Sequence, residues 1–252
     1  MSSKKEIVIA FDLYGTILST ESISKELGHL FGQEKGASIA QEWRKYQLEY
    51  TWRLNSMDKY EHFSGLTRKS LKHALTEASV SFDESVLDNL LSQYDRLALF
   101  DDVPDLFPHL SRSQSDSSNM TITPVIFSNG TFDMVSSSLA NSPGLSPHAD
   151  LFKKIVVVEP VRRYKPHPEV YRFLCKEVGK GNKGEEGDVW LVSGNPFDIV
   201  GAKSQGLKTI WVDRKGAGWT DELVEGHGGM PDVMVRGLNE VVGQVEKYLE
   251  AE

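Results

Sequence analysis

Asp12 is the residue around which chemistry can be read in this chain. It ends an apolar run over residues 7–11 (Ile-Val-Ile-Ala-Phe) that reads as a buried strand, and it opens the loop Leu13-Tyr14-Gly15-Thr16. In open α/β sheets the carboxyl ends of the strands are where ligands bind. A carboxylate held there can act as a nucleophile. Many hydrolases and transferases of this design carry a second aspartate two residues later, as general acid and metal-site partner, but here that position is Tyr14. The loop is therefore built for a carboxylate in a drier, less charged pocket, which suits displacement at carbon better than phosphoryl transfer. Three more polar clusters stand where strands are expected to end. They are Ser128-Asn129-Gly130, Tyr164-Lys165-Pro166 ahead of a segment containing Tyr171, and Ser193-Gly194-Asn195-Pro196-Phe197-Asp198.

Positioning these clusters on one edge requires a parallel sheet. Short β-branched or apolar runs recur at 122–127, 155–158, 189–192 and 209–212, separated by amphipathic stretches. That alternation predicts βαβ units in an α/β, Rossmann-like three-layer fold with a mainly parallel sheet. Between the first and second runs no strand is predicted. Helices are expected over 38–53, 65–78 and 84–99, the first presenting Trp43, Tyr46, Gln47 and Tyr50 near helical spacing. A helical block inserted after the Asp12 loop is expected to sit over the catalytic edge. This gives a cap domain over residues 20–99 and a core domain over 1–19 and 100–252. Polar loops are expected at 111–119 and 179–188, and a closing helix over 237–252.

The bulk properties narrow the classes. The 252 residues can bury a sizeable core, and a net charge of −8 argues against nonspecific binding to nucleic acid or to anionic membranes. No apolar run approaches membrane-spanning length. Cys175 is the sole cysteine, so no intramolecular disulfide can form, and it is expected to be buried and inert. With no leader pattern over the first six residues, an intracellular, cytoplasmic location is expected. The seven histidines lack metal-ligand spacing. Trp43, Tyr50 and Trp52 read as packing residues of a helix face.

Taken in register, the five motifs resemble the haloacid dehalogenase superfamily and, within it, the type II 2-haloacid dehalogenases. The specific part is Asp12-Leu13-Tyr14-Gly15-Thr16 combined with Trp43-Arg44-Lys45-Tyr46-Gln47-Leu48-Glu49-Tyr50-Thr51-Trp52. The resemblance implies that Asp12 attacks the carbon bearing halogen and forms an ester, which water then hydrolyses. It implies that Thr16 orients Asp12, that Lys165 keeps it ionised, and that Ser128 and Asn129 hold the substrate carboxylate. Arg44 would receive the halide. Asp198 would act as base or orienter for water, with Ser193 and Asn195 positioning groups around it and Tyr171 holding Lys165 or Asp198. Leu13, Tyr14, Leu48, Phe63 and Phe197 would contact the substrate, with Lys45 at the pocket mouth. The substrate would be a short 2-haloalkanoate of the L series, turned over with inversion, without cofactor, in a homodimer formed through cap helices.

No metal requirement is expected, because the second aspartate is missing, Ser193 and Asn195 stand where acids would serve magnesium, and Lys165 adds a positive charge. Two residues depart from the family pattern. Lys45 stands where a glutamine is usual, and Phe197 replaces a tryptophan. Two alternatives stay open: a magnesium-dependent phosphatase of the same superfamily, and a catalytically idle homologue that binds small carboxylates.

Overall fold

The computed structural model describes residues 5–114 and 120–251. The chain enters as β1 (Lys5–Phe11) and then runs through α1 (Ser24–Phe31), α2 (Gln33–Ser56), α3 (Phe63–Glu77) and α4 (Glu84–Tyr94). It returns through α5 (Leu106–Ser113), β2 (Met120–Ser128), α6 (Phe132–Asn141), β3 (Ile155–Val157) and α7 (Pro168–Glu177). β4 (Val189–Ser193), α8 (Pro196–Lys203), β5 (Lys208–Val212), β6 (Val233–Val235) and α9 (Val241–Ala251) complete the fold. All six described strands pair in parallel, in the order β3-β2-β1-β4-β5-β6.

That order places β1 between β2 and β4, where the winding of the sheet reverses. Such a switch point leaves a crevice at the strand carboxyl ends. Residues 7–11 of β1 are all buried, as are Val125, Ile126 and Phe127 of β2 and residues 189–193 of β4. Burial on both sheet faces explains why these strands read as continuous apolar runs. Each such side chain contributes about 1.5–3 kcal/mol when fully buried, so the register is strongly fixed. The ladder runs on to Asp12, whose N–H donates to the Val192 carbonyl at 3.0 Å, and this sets how far the carboxylate emerges from the sheet.

Helix α2 begins five residues earlier than its apolar periodicity predicts, and α1 was not predicted. The two helices pack closely on each other. A Cβ at Gly36 would lie 2.3 Å from the Gly28 backbone nitrogen, so the two helices cross backbone to backbone at a glycine pair. The periodicity of either segment alone does not record that contact. The buried stripe of α2, Ile39, Ala40, Trp43, Tyr46, Gln47 and Thr51, follows the helical repeat. α4 is stopped at Tyr94 rather than 99, and its start is capped by the Asp83 carboxylate, which accepts from the Val86 N–H at 3.0 Å. β6, three residues at the sheet edge with Met234 exposed, was too short to be predicted. Of the polar loop expected at 111–119, residues 111–113 close α5 and 115–119 lie outside the described residues. Among the described residues no helix is long and apolar enough to cross a membrane.

Candidate active site

The Asp12 carboxylate is 6 % exposed and almost wholly enclosed by donors. Its Oδ2 accepts from Thr16 Oγ1 at 2.7 Å and from Asn195 Nδ2 at 2.8 Å, with Ser193 Oγ at 3.5 Å; its Oδ1 accepts from Lys165 Nζ at 3.1 Å. The loop reaches this shape because Gly15 takes φ +89°, a left-handed value costly for any residue with a Cβ. The fourth-strand loop comes equally close: a Cβ at Gly194 would lie 2.7 Å from the Gly15 carbonyl oxygen. Gly194 N–H donates to Thr16 Oγ1 at 2.9 Å, leaving the Thr16 hydroxyl proton directed at Asp12. Asn195 is the N-cap residue of α8, yet its side chain makes no cap bond and turns to Asp12 instead.

Lys165 is 1 % exposed and uses its ammonium three ways. Nζ donates to Asp12 Oδ1, to Asp198 Oδ2 at 2.8 Å and to the Phe127 carbonyl at 2.9 Å, and sits 4.1 Å from the centre of the Phe127 ring. One cation thus bridges two buried carboxylates, and removing it would leave like charges facing each other. Tyr171, on α7, donates its hydroxyl to Asp198 Oδ1 at 2.8 Å. Burial pushes the Asp198 carboxyl up to about 6, against the opposing pull of Lys165, and burial likewise carries the Tyr171 phenol far above its ordinary value. Tyr171 is therefore a fixed donor at any working pH.

Arg44 reaches in from α2. Its Nη2 donates to the Tyr14 carbonyl at 3.1 Å and to Asn195 Oδ1 at 3.4 Å, and its Nη1 donates to Gln47 Oε1 at 2.8 Å. The same Asn195 amide therefore links the Arg44 guanidinium to the Asp12 carboxylate. Ser128 is buried, its Oγ accepting from the Gly130 N–H at 3.1 Å, and Asn129 Oδ1 accepts from the Lys165 N–H at 3.0 Å.

The expected wall residues fall into two groups. Tyr14 and Phe63 are buried and stack at 6.3 Å, and Tyr14 also packs on Tyr94 at 5.1 Å while its hydroxyl pairs with Ser138 Oγ. Phe197 is half-buried with Trp52 against its edge at 5.5 Å, and Trp52 is exposed rather than part of a helix core. Leu13 is fully buried, and its carbonyl accepts from the N–H groups of Ile17 and Leu18, so its side chain belongs to the core. Lys45 is 62 % exposed and pairs with Glu42 at 2.9 Å. Leu48, Lys45 and Arg44 share a cavity of about 390 Å³ with Thr20, Ser24 and Ala40. A larger cavity of about 580 Å³ between α5 and α9 contains none of the site residues. Cys175 is buried, and that burial raises its thiol to about 11.

Two supports went unseen in the sequence. Gln47, 1 % exposed, accepts from Arg44 and from the Tyr94 hydroxyl at 3.2 Å and donates to Thr67 Oγ1 at 2.8 Å. Its place in the motif was visible, but not its side-chain partners. On the core side, Arg214 donates to the Thr16 carbonyl at 2.8 Å and grips Asp102 with two bonds of 2.7 and 3.0 Å, and Asp102 also accepts from the Leu238 N–H at 2.7 Å. Burial raises the Asp102 carboxyl, and these donors more than reverse it, leaving it below its ordinary value. No local pattern links Asp102, Arg214 and the Thr16 loop.

The sequence pattern of haloacid dehalogenase-like hydrolases matches residues 8–206. The (S)-2-haloacid dehalogenase of Pseudomonas sp. (strain YL) is 31 % identical over 93 % of this chain and 92 % of its own. The (S)-2-haloacid dehalogenase of Xanthobacter autotrophicus is 32 % identical over 82 % of this chain and 74 % of its own. A solved structure of L-2-haloacid dehalogenase from Xanthobacter autotrophicus, with chloropropionic acid covalently bound, superposes with a TM-score of 0.79 at 27 % identity, covering 95 % of this chain and 98 % of that one.

Proposed function

The chain belongs to the haloacid dehalogenase-like hydrolases, and on that footing we propose that it hydrolyses short 2-haloalkanoic acids, of the S (L) series, to 2-hydroxy acids through an ester on Asp12. The observation that carries this reading is the bridge of Lys165 between Asp12 and Asp198, with Arg44 joined to the same group through Asn195. An Asp12 oxygen attacks carbon 2 from behind the carbon–halogen bond, and the bonding pair leaves with the halide towards Arg44. A guanidinium fixed by Gln47, Tyr14 and Asn195 before reaction stabilises charge that appears only as the bond breaks. In this reading Ser128 and Asn129 hold the substrate carboxylate. Water then attacks the Asp12 carbonyl carbon and gives a proton to Asp198; as the ester C–O bond to Asp12 breaks, Asp198 returns that proton to the departing oxygen, which leaves as the alcohol. One displacement at carbon inverts the stereocentre.

The donor set argues against a magnesium ion in this cleft. Between the Asp12 and Asp198 carboxylates stands the Lys165 ammonium, bonded to both, and a divalent ion there would meet a like charge. The reading includes a cap domain over residues 20–99 above a core of 1–19 and 100–252, a homodimer through the cap helices and a place in the cytoplasm.

Halide release from racemic 2-chloropropionate in the presence of EDTA, with Asp12→Asn alongside, tests the reaction. Wild-type release, unchanged by chelation and absent in the variant, is expected. The residual substrate should be the R enantiomer, and in isotope-labelled water a single turnover should place one solvent oxygen on the peptide holding Asp12. A strict magnesium requirement, or phosphate release from phosphoesters without halide release from the acid, would overturn the reading.

A further inference from the structure

The last turn of α2 docks on the segment that carries Lys165. The Asn55 side chain takes both backbone groups of Tyr164. Its Oδ1 accepts from the Tyr164 N–H at 2.9 Å, and its Nδ2 donates to the Tyr164 carbonyl at 2.7 Å. The residue following this paired grip is Lys165. From the other side Asn129 accepts the Lys165 N–H at 3.0 Å, so the lysine backbone is held between an amide of the core and an amide of the helix. Beyond Asn55 the contacts are of another kind. Asp58 pairs with Arg163, and the Glu61 carbonyl accepts from the Tyr164 hydroxyl at 2.5 Å. These hold the segment to the helices without touching the backbone next to the lysine.

We propose that Asn55 is a positioning residue for Lys165, setting the backbone from which Nζ reaches Asp12 and Asp198 and making that alignment depend on α2 being seated over the site. This rests on the catalytic reading of Asp12 and Lys165. The lysine side chain is long and flexible, yet its three donors are all committed, to Asp12 from β1, to Asp198 from α8 and to the Phe127 carbonyl from β2, while Tyr171 on α7 faces Asp198. A small backbone shift cannot be absorbed without losing one of them, and reacting geometry tolerates little displacement. Arg44 stands about three turns earlier on the same helix and contacts the Asp12 loop and Asn195. Since α2 is one continuous 24-residue helix, lifting it would withdraw the halide-binding cation and loosen the lysine segment together.

The test compares Asn55→Ala, Asn55→Asp and, as a control for simple adhesion, Asp58→Asn in the full chain. Carbon NMR titration of the Asp198 carboxyl is read beside kcat and KM for halide release from 2-chloropropionate. In Asn55→Ala the Asp198 midpoint is expected to rise by about one pH unit as the ammonium draws away. kcat should fall about 10- to 100-fold with KM held within about threefold. Asn55→Asp keeps the acceptor for the Tyr164 N–H and should fall between; it carries the comparison if Asn55→Ala does not fold. Asp58→Asn should match the wild type. Wild-type midpoint and kcat in the Asn55 variants, or the full effect reproduced by Asp58→Asn, would overturn the proposal. Should the wild type release no halide, the dehalogenation reading fails by itself and the titration alone decides the role of Asn55.

Discussion

Replacing Gln47 by leucine is the perturbation that best separates a tuned cation from a merely present one. Leucine has similar bulk, so the helix face stays filled, while three bonds vanish: those from Arg44 and Tyr94 to Oε1 and that from Nε2 to Thr67. The bond from Arg44 is charge-assisted, and such bonds contribute about 1.5–3 kcal/mol. If that energy is what holds the guanidinium where the halide departs, its loss appears in the transition state. At about 1.4 kcal/mol per tenfold, kcat should fall about 10- to 150-fold. Arg44 keeps its bonds to Tyr14 and Asn195, so substrate binding and KM should change little. Stability should drop by about 1–3 kcal/mol, because the buried Tyr94 hydroxyl and Thr67 Oγ1 lose a partner and leucine burial only partly offsets this. The diagnostic is the leaving group. Chloride leans more on a receiving cation than iodide does, so halide-release assays should show a larger loss for 2-chloropropionate than for 2-iodopropionate. Equal losses for both, or none, would refute the assignment of Arg44 and of Gln47 as its support.

The same geometry sets further outcomes. Asp198 must be ionised to take a proton from water, so kcat should decline as the pH falls through about 6. Its linkage to folding runs the other way: a carboxyl raised from 3.8 to about 6 contributes stability that is fully present below 3.8 and lost as the pH rises through about 6. Asp198→Asn should remove that slope from thermal melts and give a single burst of halide equal to the enzyme, since ester formation survives and hydrolysis does not. Steady turnover in the variant would count against the assignment. Arg214→Leu removes the donor to the Thr16 carbonyl and leaves Asp102 with the Leu238 N–H as its remaining named donor. We expect a loss of about 1–3 kcal/mol in stability and about tenfold in kcat, checked by denaturant titration and halide release. A stability loss with unchanged kcat would show that the Arg214–Asp102 support does not reach Asp12.

The sequence by itself determined most of the sheet and the residue types at its edge. Burial on both faces demands unbroken apolar runs, so β1, β2, β4 and β5 could be read directly, and the polar clusters fall where those runs stop. Tyr14 in place of a second carboxylate is equally a matter of residue type. Tertiary structure decided what depends on partners far along the chain. The crossing of Gly28 and Gly36 packs α1 against the start of α2, a contact that no local pattern records. The pairing of Lys45 with Glu42 is likewise a contact of the folded helix, beside the cavity that Lys45 shares with Arg44. Asn195 occupies the N-cap position of α8, and only the arrival of Asp12 and Arg44 from other elements turns its amide to them. The supports from Gln47, Arg214 and Asn55 have the same origin. Local patterns record which face of an element must leave water, whereas a hydrogen bond between distant loops leaves no periodic trace, and it is these bonds that fix Asp12, Arg44 and Lys165 relative to one another.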